Sequence, residues 1–190
     1  MSKGRLEAFS DGVLAIIITI MVLELKVSHG PDIADLLPLI PVFASYLLSF
    51  IFIGIYWNNH HHLFQFVHKV NGNVLWANLH LLFWLSLIPF STSWMGENEF
   101  TAWPVATYGF TLWMAGLAYY ILVRVLLAIH PADSPLATAI GKDNKGMISL
   151  VLYTSAIPLA FISPIAASVL YVIVAAIWFI PDRRLENLAK

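Results

Sequence analysis

The chain has 190 residues, of which 59% are hydrophobic and only 11% charged, with a mean hydropathy of +0.79. Soluble domains run nearer a quarter charged, so this composition excludes an ordinary water-soluble globule and points to lipid as the solvent. Ten Lys and Arg against eleven Asp and Glu leave a net charge of -1, with no basic block for nucleic acid; the absence of cysteine removes disulfide frameworks, thiolate metal sites and cysteine nucleophiles.

A bilayer core about 30 Å thick needs roughly 20 apolar residues in helix, and six segments meet or approach that length. The first spans Ala8 to Val27. Lys3 and Arg5 precede its apolar run in the manner of a secretory signal, but Asp11 interrupts the approach and Glu24-Leu25-Lys26-Val27 is no small-x-small cleavage site, so the segment is expected to remain in the mature protein. A polar connector from Ser28 to Pro38 leads to the second segment, Leu39 to Val67, whose histidine-rich end is expected to project beyond the hydrocarbon. After a turn at Lys69-Val70-Asn71-Gly72-Asn73 the third segment runs from Val74 to Trp94, and the fourth from Trp103 to Ile129. Beyond the polar stretch His130 to Lys145, the apolar run Met147 to Ile180 would be about 50 Å long as one helix. Ser163-Pro164 divides it into two short crossings, 147–162 and 165–180, because the residue before a proline is driven out of the helical region.

Charge placement favours six crossings over five. With six, Lys3, Arg5, Lys69, Lys142, Lys145, Arg183, Arg184 and Lys190 share one side, Arg124 lies near it, and Lys26 falls opposite. Cytoplasmic loops carry the excess of Lys and Arg, so both termini are expected in the cytoplasm. The reading is an all-α integral membrane protein with a single six-helix domain over residues 1–190 and no internal repeat.

Polar residues inside a membrane are costly and are the first candidates for function. On the opening helix, Gly12, Ile16, Ile20 and Leu23 share one face with Thr19 at its margin, an aliphatic stripe suited to lipid, to helix packing or to a pore. Asp11 lies about 140° round the helix from Ile16, and Arg5 is not its i,i+4 neighbour, so its partners should come from other helices. His60, His61, Asn78 and His80 are the candidates, either as an interhelical clamp or as part of a transport path. Adjacent histidines diverge by about 100° on a helix, so His60, His61 and His62 cannot converge on one ion; no metal or haem site is expected. Ala106-Thr107-Tyr108-Gly109-Phe110 is only faintly like a carbonyl filter and sits inside an apolar segment, and no hydrolase, P-loop or zincin motif is present, so the chain is not expected to be an enzyme.

Three stretches carry a resemblance: R-x-x-x-F-S-D from Arg5 to Asp11, Y-W-x-x-H-H from Tyr56 to His61, and N-L-x-L-L-F-x-L-S-L-I-P-F from Asn78 to Phe90. With them the chain resembles the bacterial branch of the transmembrane-protein-175 family of potassium channels over essentially its whole length. The resemblance implies a homotetramer in the bacterial inner membrane, multi-pass in the cell membrane, whose four first helices line a central pore. Constriction positions then fall on Ile16, Ile20 and Leu23, a pore threonine on Thr19, and Arg5, Phe9, Ser10 and Asp11 hold the pore helix against the second and third helices. Potassium is the implied permeating ion, with no cofactor, and with lipid and sister subunits as the partners. A cation- or proton-coupled transporter using Asp11 and the histidines is the competing reading, and proton permeation through the same pore a narrower one.

Overall fold

The computed structural model describes residues 2–27, 30–140 and 144–179, and within them the chain is helical without strands. Helix α1, Lys3–Leu23, begins five residues earlier than the apolar run suggests and ends four earlier. Its polar head, including Arg5 and Asp11, continues the helix, and Glu24 caps it through backbone bonds to Met21 and Val22. A 3-10 turn, Ile33–Leu39, occupies the end of the expected connector; there the Asp35 carboxylate accepts the Asp32 backbone N–H at 3.0 Å. Helix α2, Ile40–Gln65, starts with Pro41 in its first turn, where a missing N–H costs no helical bond.

The third segment is two helices rather than one. Helix α3, Gly72–Ser86, is capped by Asn71, whose side chain accepts the Val74 N–H at 3.0 Å. It breaks at Leu87, and α4 continues over Ile88–Glu97. Pro89 is the cause, since it cannot donate to the carbonyl four residues back and its ring crowds that turn. Ser86, Ser91 and Thr92 hydroxyls donate to nearby carbonyls around the break, with Thr92 reaching Ile88 O at 2.7 Å. Helix α5, Ala102–Ala128, matches its expected span within one residue at each end. A short helix α6, Pro135–Ile140, lies within what reads as a connector, started by Ser134, whose hydroxyl accepts the Ala137 N–H. Helices α7, Asn144–Leu159, and α8, Pro164–Phe179, are separated by a turn over 160–162 that leads into Ser163-Pro164, so α7 starts and ends three residues earlier than the expected 147–162; Ser163 Oγ caps α8 by accepting the Ala166 N–H.

Four helical stretches, Lys3–Leu23, Ile33–Gln65, Gly72–Glu97 and Ala102–Ala128, are long and apolar enough to cross a membrane; α7 and α8 are shorter apolar helices, about 24 Å each. The long helices alternate in direction. At one end the start of α1 meets the end of α2, with Lys3 Nζ donating to Gln65 O at 3.5 Å, and the end of α8 meets the start of α7, with Trp178 donating to Ser149 Oγ at 2.8 Å. Lys3, Arg5, Lys69, Arg124 and Lys145 gather at or near this end, while Lys26 is at the other. Lys142, Arg183, Arg184 and Lys190 lie outside the described residues.

Helix α5 is the hub, packed on α3, α4, α7 and α8, while α1 lies on α2, α3 and α4. Lipid tails are as apolar as leucine, so such helices adhere by close packing and internal hydrogen bonds rather than by burial from water. Gly96 shows the first device: a Cβ there would stand 2.8 Å from Val42 Cα, so α2 and α4 approach backbone to backbone. Ser49 shows the second, its hydroxyl bonding Thr92 at 2.6 Å and the Tyr108 hydroxyl at 2.9 Å, which links α2, α4 and α5 in the core.

Candidate pore face and its anchoring network

Helix α1 has two unlike faces. Leu6, Ser10, Leu14, Ile17 and Met21, spaced by three or four residues, are buried against the bundle. Opposite them Ile16, Ile20 and Leu23 are 58%, 44% and 76% exposed, and Gly12 and Thr19 are exposed beside them. The aliphatic stripe is therefore uncovered by the rest of its own chain. Thr19 Oγ1 donates to Ile16 O at 2.9 Å, which commits its proton to the helix and leaves the oxygen as an acceptor on the exposed side.

The buried face carries one polar network. Asn78 on α3 donates from Nδ2 to Ser10 Oγ at 2.9 Å, and Ser10 in turn donates to Leu6 O at 2.9 Å. Asn78 Oδ1 lies 2.8 Å from His60 Nε2 on α2; with the amide oxygen able only to accept, His60 donates. Ser10 and Asn78 are 0% and 1% exposed and His60 2%, so a chain of donors crosses from α2 through α3 to α1 with no water in competition. Phe64 stacks on the His60 ring with centroids 4.4 Å apart and fixes its plane.

Asp11 finds a different partner from the four candidates. Trp57 Nε1 donates to its Oδ1 at 3.1 Å. The reason is angular: with Ser10 turned into the crevice between α2 and α3, Asp11 is displaced by about 100° to the rim, where Trp57 stands. Trp57 stacks on His61, one turn along α2, and His61 Nε2 accepts from Gln65 at 3.1 Å. His80 accepts from Trp84 Nε1 at 3.0 Å within α3. Of the four residues of the opening motif, Ser10 and Asp11 thus bond to neighbouring helices, whereas Arg5 and Phe9 lie exposed on the outward surface. The Trp57 contact was legible only as part of the Y-W-x-x-H-H stretch, where Trp57 and His61 fall on one face. Among the described residues no group of three or more His, Asp or Glu has a metal-binding arrangement.

The segment Ala106 to Phe110 lies wholly within α5, so its carbonyls serve the helix. Gly109 there makes room for Tyr171 of α8, whose hydroxyl donates to Val105 O at 3.1 Å; a Cβ on Gly109 would overlap the Tyr171 ring and hydroxyl.

At the far end of α1, Ser93 of α4 donates to Glu24 at 2.8 Å, and Lys26 pairs with Glu97. These two clasps hold the last turn of α1 and the chain beyond it to α4.

A family model described as the endosomal/lysosomal potassium channel TMEM175 matches residues 5–89, which contain α1 from Arg5 onward and all of α2 and α3. A potassium channel of Chryseobacterium sp. is 56% identical over 190 residues, covering 100% of this chain and 99% of the relative. A potassium channel of Streptomyces collinus is 33% identical over 174 residues, 85% of this chain and 84% of the other. The crystal structure of a lysosomal potassium-selective channel TMEM175 homolog from Chamaesiphon minutus superposes with a TM-score of 0.81 at 29% identity, over 96% of this chain and 97% of that one. A helical membrane chain with the Arg5 to Asp11 motif on its first helix, a family model over residues 5–89 and relatives that cover 85–100% of its length belongs to the TMEM175 family.

Proposed function

We propose that the protein is a homotetrameric, potassium-permeable channel in the bacterial inner membrane, with four copies of α1 surrounding a central pore. Each subunit crosses six times in this reading, by α1, α2, the kinked α3–α4 pair, α5, α7 and α8, with both termini in the cytoplasm. The basic end of the bundle supports that orientation. The observation that carries the reading is the aliphatic stripe Ile16, Ile20 and Leu23, uncovered on a helix whose other face is buried, in a chain whose relatives are named as potassium channels.

Four-fold rings of these side chains offer a passing cation no ligands. The ion must shed part of its water, and potassium, which holds water less tightly than sodium, meets the lower barrier; the same ring closes by dewetting when narrow. Thr19, with its oxygen turned outward between the Ile16 and Ile20 rings, returns some coordination. The Ser10-Asn78-His60 chain and the Asp11-Trp57 bond then serve as positioning contacts that fix the rotation of α1, and hence which residues face the axis.

The test is ion flux from liposomes holding purified protein, in potassium and sodium gradients, with wild type beside Ile16→Asn. Passive potassium flux that rises or loses selectivity in the variant is expected, because an amide in the narrowest ring retains water. Flux that requires a coupled ion or proton and ignores Ile16 would replace the channel with a transporter. Cross-linking that finds only monomers in membranes would remove the shared pore.

A further inference from the structure

We propose that Lys26, through its pairing with Glu97, sets the electrostatic potential of the outer pore mouth and so determines conductance at low ionic strength. The inference rests on the channel reading above, since it takes the end of α1 as the end of the pore.

Among the described residues, the end of the bundle opposite the basic one holds Glu24, Asp32, Asp35, Glu97 and Glu99, and Lys26 is the lysine or arginine among them. Lys26 follows the α1 cap, Glu24, by two residues, so its backbone lies within about 7.6 Å of it. Its side chain is 73% exposed, and that of Glu97 42%, so the fields of both extend into water and not into packed protein. Glu24 is held by Ser93, which fixes the rim against which Lys26 acts. The pairing draws the ammonium toward α4 and offsets one carboxylate per subunit. Removing Lys26 would leave Glu97 unbalanced and enrich cations at the mouth; removing Glu97 would leave the ammonium unbalanced and deplete them.

Four such charges, taken to stand about 10 Å from the axis of the proposed pore in water, would change the local concentration of a monovalent cation about sevenfold in 10 mM salt, about twofold in 0.15 M, and negligibly in 1 M. The experiment is conductance of reconstituted wild type, K26Q, K26R and E97Q in symmetric KCl at 10 mM and 1 M. K26Q should conduct several-fold more than wild type at 10 mM, E97Q several-fold less, and all should converge at 1 M, with K26R restoring the wild-type value. If K26Q and E97Q move together, or their effects persist at 1 M, the pair is only a structural clasp and the inference fails. Equal conductance of all four at 10 mM also overturns it while leaving the channel intact. Should K26Q not reconstitute, the sign and salt dependence of E97Q alone decide the matter. Absence of potassium current from both wild type and Ile16→Asn would instead overturn the channel reading.

Discussion

Replacing Asn78 by leucine removes both arms of the buried network while keeping the number and branching of the side-chain heavy atoms. His60 Nε2–H, 2% exposed, loses its acceptor at 2.8 Å, while Ser10 loses an incoming donor but keeps its own bond to Leu6 O. An unpartnered buried donor costs about 1–3 kcal/mol, whereas coupling energies measured between membrane helices average about 0.6 and reach about 1.7 kcal/mol, because side chains in an unfolded but inserted chain still find partners. The balance is an expected loss of about 1–2 kcal/mol for Asn78→Leu and less for Ser10→Ala. For a chain of this length that corresponds to a fall in Tm of about 2–8 °C. Thermal unfolding of the detergent-solubilised protein, followed by tryptophan fluorescence, would measure it for both single variants and the double. The double should fall short of the sum of the singles by about 0.5 kcal/mol or more, since each removes the same bond. Strict additivity, or an unchanged Tm for Asn78→Leu, would show that the network does not hold α1 to α2 and α3.

Gly109→Ala should destabilise by about 1–3 kcal/mol, because the new methyl must displace the Tyr171 ring and break its bond to Val105; Tyr171→Phe in the same background should recover part of the loss in the same melt. Glu97, by its hydrogen bond and then its charge, raises the pKa of Lys26 above the ordinary 10.5. A raised value means that the charge, and any stability it lends, is complete below the ordinary lysine value and is lost only as pH climbs past the folded one. Low-salt conductance should therefore show no Lys26 titration on the outer side as pH climbs to the ordinary lysine value of 10.5; a rise centred at or below that value in wild type but not in K26Q would contradict the pairing. The Ile16→Asn flux comparison and the opposite shifts of K26Q and E97Q complete the set.

How much was legible beforehand follows from which physical rule governs each feature. Proline geometry alone placed the division at Ser163-Pro164, and apolar length alone located α5 to within a residue. At Pro89 a continuous apolar stretch conceals the break at Leu87, because hydropathy is blind to a missing backbone donor when the residues around it remain apolar. Helix α1 starts before the apolar run because Arg5 and Glu7 carry the helix out of the hydrocarbon without ending it, and it ends before Val27 because the backbone turns at the Glu24 cap although the residues beyond remain partly apolar.

For the site, helical periodicity put Ile16, Ile20 and Leu23 on one face, but periodicity is the same for a stripe that meets lipid, protein or a pore. The sequence by itself determined that this chain lives in a membrane as a bundle of helices with most of its lysines and arginines assigned to one side, because hydrophobic length and charge placement are properties of residues and not of contacts. The tertiary structure decided which face of α1 is used for packing, that Ser10 and not Asp11 enters the His60-Asn78 crevice, and that Asp11 meets Trp57. Those outcomes depend on the rotation of one helix against two others, and neighbouring residues about 100° apart exchange crevice for rim under a change too small for any sequence pattern to register.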